Sequence, residues 1–189
     1  ILNRLDVRYI INRDQQGQQQ LIPNPNAYGA AWFVKAVKPV ESVVEELQSI
    51  GSTNLKDTAI IPKGALQNVN LTADSSSSIK LKKYTNDEIE YTANTNSGGF
   101  AVFSEVYYPA GWKAYIDSKE TDIIKTNYFM RGLHIPQGSH TVKLVFDPEV
   151  VKTGMSISFL STWLAFIIAI GGFAMQWWVD RRKSMDHSS

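Results

Sequence analysis

The chain has no cysteine, so neither disulfides nor thiolate metal sites hold it together, which suits a bacterial envelope better than a eukaryotic secreted scaffold. An excess of charge of one sign is also missing: 19 Lys and Arg stand against 18 Asp and Glu, for a formal net charge of +1. Up to Lys152 the signs balance, so no field recruits nucleic acid or polyanions, and a nucleic-acid partner is excluded as a theme. Histidine is scarce at three. No phosphate loop, GxGxxG turn or Ser/His/Asp nucleophile signature is present. His134, His140 and Asp147 lack the spacing of a metal motif, so neither a metal nor a cofactor is expected. The most telling absence is that of charge from Met155 to Val179.

At about 1.5 Å per residue, that apolar stretch is long enough to cross a hydrocarbon core of roughly 30 Å. Trp163 lies toward one end and Trp177 and Trp178 at the other, where amphipathic rings favour the headgroup layers. Arg181, Arg182 and Lys183 follow, whereas Asp147, Glu149 and Lys152 precede. This asymmetry predicts a cytoplasmic C-terminus and an extracytoplasmic segment 1–150 at the bacterial inner membrane. Ser158, Thr162, Ala165, Ala169 and Gly172 fall on one helix face, so membrane lipid and other transmembrane helices are the expected partners. The chain opens Ile1, Leu2, Asn3, Arg4 without an export signal, and it reads as the C-terminal piece of a longer polytopic protein.

The remainder divides by pattern. Over 1–62 a small α/β lead-in is expected, with strands at Val7 to Asn12, Ala31 to Val37 and Ala59 to Ile61. Its helix, Ser42 to Ile50, places Val43, Val44, Leu47 and Ile50 on one face as a cover for a sheet, with Gly51 as its stop. Over 63–150 period-two segments separated by Ser-, Asn-, Asp-, Pro- and Gly-rich turns predict an antiparallel β-sandwich, mainly β in class. Its strands are expected at Leu66 to Ala73, Ile79 to Tyr84, Glu88 to Ala93, Gly99 to Tyr107, Trp112 to Asp117, Thr121 to Lys125, Tyr128 to Ile135 and His140 to Phe146. A transmembrane helix over 151–180 and a cytoplasmic tail over 181–189 complete the organisation. Trp112 and Phe146 are expected in the sandwich core.

Glu105, Tyr107, Tyr108, Trp112 and Arg131 form the candidate ligand-binding set, because aromatic faces stack on sugar rings and charged forks bind hydroxyls. The plainer reading puts these aromatics in the core and pairs Arg131 with Glu105. Glu105 with Asp117 has the composition of a glycosidase acid pair, but both border turns, where solvated or capping carboxylates are common. No catalytic residue is assigned.

From Phe103 to Phe146 the chain carries Ser104, Glu105, Tyr107, Tyr108, Pro109, Gly111 and Trp112. Then come Asp117, Asn127 and Arg131, and finally Pro136, Gly138 and His140 before Asp147 and Pro148. This order resembles the C-terminal extracytoplasmic region of the YfhO family of bacterial polytopic membrane proteins. Ser118 and Ala110 stand where that family often has glycine and no residue. The resemblance implies a many-helix parent similar to the GT-C glycosyltransferases, which take sugar from a polyprenyl-phosphate carrier and hold their acidic catalytic residues in the first extracytoplasmic loop. On that reading this segment supports or positions an acceptor, with an envelope glycan or lipid-linked sugar as partner, and is not catalytic. The alternatives are a membrane-anchored, non-enzymatic carbohydrate-binding or envelope-assembly module and a structural lid over a helical bundle.

Overall fold

The computed structural model describes residues 2–14, 16–65 and 76–186. The expected strand at Leu66 to Ala73 lies outside the described residues. The chain divides into two units, Ile1–Asp147 and Pro148–Ser189.

In the first unit, β1 (Tyr9–Arg13) and β2 (Gln19–Pro23) form an antiparallel hairpin. The single strand expected from Ala31 to Val37 is two, β3 (Ala31–Phe33) and β4 (Ala36–Val40), which enter different sheets. Helix α1 (Val43–Ser52) follows, and β5 (Thr58–Pro62) returns to pair in parallel with β4. The sandwich strands are β6 (Ser78–Tyr84), β7 (Glu88–Thr95), β8 (Gly99–Val106), β9 (Trp112–Ile116), β10 (Lys119–Thr121), β11 (Ile124–Thr126), β12 (Met130–Ile135) and β13 (Gly138–Phe146). The segment expected as one strand from Thr121 to Lys125 is likewise divided, because Asp122 and Ile123 carry the chain from one sheet to the other.

Two antiparallel sheets, ordered β10-β9-β13-β7-β6 and β11-β12-β8-β3, face one another. Between them lie Ile89, Tyr91, Ala93, Ala114, Val142 and Leu144 from the first sheet and Ala101, Phe103, Leu133 and Ile135 from the second. Glu88, Glu90, Lys82 and Lys143 form ion pairs on the first sheet's outer side, so only one of its faces is core. The second sheet is covered on both faces: Phe100, Val102 and Met130 turn away from the sandwich and pack with Trp32, Val34, Ala59 and Ile61. Burial on two sides explains why β8 reads as the continuous apolar run Gly99 to Phe103 instead of alternating.

Helix α1 corrects an expectation. Ser42 caps it, its Oγ accepting from Glu45 N–H at 3.2 Å, and Gly51 sits inside the helix, which ends at Thr53. Val43, Val44 and Leu47, expected to cover a sheet, are exposed, while Glu46 and Ser49 are buried. The cause is a polar surface beneath the helix. Tyr128 N–H donates to Glu46 Oε1 at 2.6 Å, Lys125 Nζ stands 4.0 Å from Glu46 Oε2, and Lys38 Nζ donates to Ser49 Oγ at 2.8 Å. Ile50 alone of the expected face packs inward, against Val40, Leu55 and Ile60.

The β9–β10 turn has two residues, Asp117 (φ 49) and Ser118 (φ 70), between the paired Ile116 and Lys119. Two successive left-handed residues make a type I′ turn, whose twist matches the flanking strands. Ser118 occupies the position that glycine fills most easily.

The second unit is α2 (Glu149–Asp186). Its segment Thr153–Trp178, 26 residues, is long and apolar enough to cross a membrane. Ser161 and Thr162 donate their hydroxyls to the carbonyls of Ile157 and Ser158, each at 2.8 Å, so neither is left unsatisfied in lipid.

Candidate functional site

Side chains alternate along a strand, so Arg131 shares the row of Leu133 and Ile135 and points between the sheets at the end of the core. It is 3% exposed. Opposite it on β9, Trp112 shares the row of Ala114. The guanidinium carbon lies 4.1 Å from the Trp112 ring centroid, a cation–π stack. Arg131 Nε donates to the Val106 carbonyl at 2.9 Å, while its buried Nη1 has no hydrogen-bond partner. Burial pushes the Arg131 pKa down, and the charge of Glu105 opposes that shift. Even so, Glu105 and Arg131 form no ion pair, which corrects the plainer sequence reading.

Glu105 sits in an irregularity. Register along β12 jumps from Met130 opposite Val106 to Arg131 opposite Phe103, leaving Ser104 and Glu105 as extra residues on β8. Such a bulge bends its strand and re-aims the side chains that follow it. Tyr107 and Tyr108 come next, and they turn toward a cavity of about 170 Å³ that also has Trp112, Arg131, Glu120 and Asp122 in its wall. Four of the five expected binding residues therefore meet at one cavity; Glu105 is outside its lining.

Two core expectations change here. Trp112 is only partly buried against the core edge, and Phe146 is 37% exposed, its ring 5.4 Å from that of Trp112. The two residues pair with each other at the ends of β9 and β13, so the core row runs out before it reaches them. Glu120, Thr121 and Asp122 were missed as wall residues; the polar run after the Trp112 hairpin is the sequence signal that marks them.

Asp117 follows the opposite end of β9 from Trp112. With about 3.3 Å per residue over five residues, this places it some ~16 Å from the Arg131 end, beyond the roughly 5–9.5 Å of a glycosidase carboxylate pair. It has another task. Asp117 Oδ2 lies 2.6 Å from His140 Nδ1, and its Oδ1 accepts from Thr141 N–H at 2.9 Å. The hydrogen bond to Asp117 raises the His140 pKa, and the same bond lowers that of Asp117.

The signs define a pH window. A raised histidine stabilises the fold below about 6.5, its unfolded value, and loses that contribution as pH rises through the folded value. A lowered aspartate stabilises above about 3.9 and fails as pH falls through its folded value. The pair therefore contributes most between about pH 4 and 6.5. His134 acts oppositely: burial lowers its pKa, so acidification through about 6.5 costs stability. Thermal melting of the full chain with His140→Asn should show a deficit against the unaltered chain at pH 5.5 that shrinks by pH 8.5. A deficit independent of pH would show that the pair carries no charge-dependent stability.

A family model described as bacterial membrane protein YfhO matches residues 51–158, from the end of α1 through the sandwich into α2. No curated protein and no solved structure matches the chain. With more than half of its length matched and an apolar helix long enough to cross a membrane following the sandwich, the chain belongs to the YfhO family of bacterial membrane proteins.

Proposed function

We propose that the Ile1–Asp147 unit is an extracytoplasmic ligand-holding domain of a glycosyltransferase-like membrane protein, positioning a sugar-bearing acceptor while catalysis resides elsewhere in the parent. The observation that carries this reading is the cavity in which Trp112, Tyr107, Tyr108 and the buried Arg131 meet. Aromatic faces suit the apolar face of a sugar ring, and carboxylates at the rim suit its hydroxyls. The length of β9, about 16 Å between Asp117 and the end at which Trp112 meets Arg131, favours a supporting role over glycoside hydrolysis.

The test is sugar binding by the full chain in lipid nanodiscs, read by ligand-observed NMR. Tyr108 is 54% exposed, so Tyr108→Ala should leave melting within about 0.5 kcal/mol. Loss of one stacking wall should weaken binding about tenfold, corresponding to roughly 1.4 kcal/mol. Unchanged binding by that variant would remove the cavity from the reading.

Sidedness is a separate expectation. Arg181, Arg182 and Lys183 after the span, set against the acidic flank before it, favour an external sandwich. A cysteine at the exposed Lys119 should react with a membrane-impermeant maleimide in intact cells. Labelling only after lysis would reverse the orientation.

A further inference from the structure

We infer that the Arg131 cavity takes an oxyanion, a phosphate or carboxylate carried by a group of about one sugar ring, in preference to a neutral sugar. The inference rests on reading the cavity as a ligand site and goes further by naming the ligand's charge. Arg131 is a buried cation whose Nε is committed to Val106, whose face is covered by Trp112, and whose Nη1 has no acceptor. A cation held this way is costly unless an anion completes it. With Nε committed to Val106, what the cavity meets is the remaining edge of a charged guanidinium, which favours an anionic oxygen over a neutral hydroxyl.

The other ionic groups of the wall do not supply that anion. Lys113 lies 3.8 Å from Asp147, so each has an opposite charge beside it. Glu120 and Asp122 are exposed, where solvent and salt screen them. Glu105 influences Arg131 electrostatically but lies outside the lining. The result is a positive group deep in the wall and negative groups at the rim. One oxyanion inside, with hydroxyls directed outward to accepting carboxylates, satisfies both, whereas a run of closely spaced anions meets repulsion at the rim.

The experiment uses the full chain in nanodiscs of zwitterionic lipid at matched ionic strength. The probes are glucose, glucuronate, glucose 1-phosphate and inorganic phosphate. At least one acidic sugar should bind tenfold or more tighter than glucose, and Arg131→Met should abolish the difference. Preference for glucuronate identifies a carboxylate, and preference for glucose 1-phosphate identifies a phosphate. Equal binding of glucose and both acidic sugars overturns the oxyanion while leaving the sugar-holding reading intact. Inorganic phosphate binding as tightly as glucose 1-phosphate, with glucose silent, upholds the oxyanion and sinks the sugar. Absence of binding by every probe overturns both. The unaltered chain decides these outcomes even if Arg131→Met fails to fold.

Discussion

Gly132→Ala should destabilise the first unit by about 3 kcal/mol, at the upper end of what overpacking a closed core costs. Gly132 lies on the face of β12 turned toward the second core, and a Cβ there would stand 2.3 Å from Phe100 Cζ and 2.4 Å from Thr126 Oγ1. Both neighbours are fully buried, so neither can swing into solvent. The ring of Phe100 occupies the space that glycine leaves, which ties two adjacent strands through one side chain. Phe100→Ala alone should cost about 3–5 kcal/mol by leaving a cavity. The double substitution should cost less than the sum, because removing the ring makes room for the methyl group. Urea melting of the full chain in detergent micelles measures all three. Strict additivity would show that the ring is not the obstacle.

This contact also shows where sequence reading reaches its limit. The alternation of Val142 and Leu144, the Asp117 and Ser118 turn and the uncharged stretch from Met155 to Val179 are local signals with local causes, so they identify the sandwich strands and the membrane helix directly. The glycine in β12 has no such signal, because its reason is a ring supplied by β8. The inverted face of α1 fails for the same cause. Its buried Glu46 answers a backbone N–H at Tyr128, 82 positions away, and no periodicity within the helix announces that partner. Where the chain changes sheets between β3 and β4, and again between β10 and β11, propensity stays strand-like on both sides and the break is invisible.

The cavity lies between these cases. Tyr107, Tyr108, Trp112 and Arg131 were legible as a set because residue type alone suggests stacking and ionic recognition. Their geometry depends on the register jump at Ser104 and Glu105, which removes Glu105 from the lining. Partial exposure of Trp112 and Phe146 follows from their place at the end of the strand rows, since alternation specifies a face but not how far along it the core extends.

Asn127→Ala should cost about 3 kcal/mol through two separable effects. Asn127 opens the turn between β11 and β12 with φ 51, a left-handed conformation that costs alanine roughly 1 kcal/mol. Its Oδ1 accepts from Ile60 N–H at 2.9 Å while its own N–H donates to the Ile60 carbonyl at 2.8 Å, so one fully buried residue acts as a strand partner for β5. Losing the side-chain acceptor leaves the Ile60 N–H unpaired in the interior, a penalty of about 1–3 kcal/mol. Asn127→Gly removes the acceptor but keeps the left-handed backbone free of strain, and should cost about 2 kcal/mol. Hydrogen exchange at the Ile60 amide should accelerate in both variants beyond the change expected from global stability, because its protecting acceptor is gone in each. Equal stability losses for alanine and glycine would remove the backbone contribution. Unchanged exchange at Ile60 would remove the acceptor, and with it the account of how Asn127 joins the lead-in strand to the sandwich.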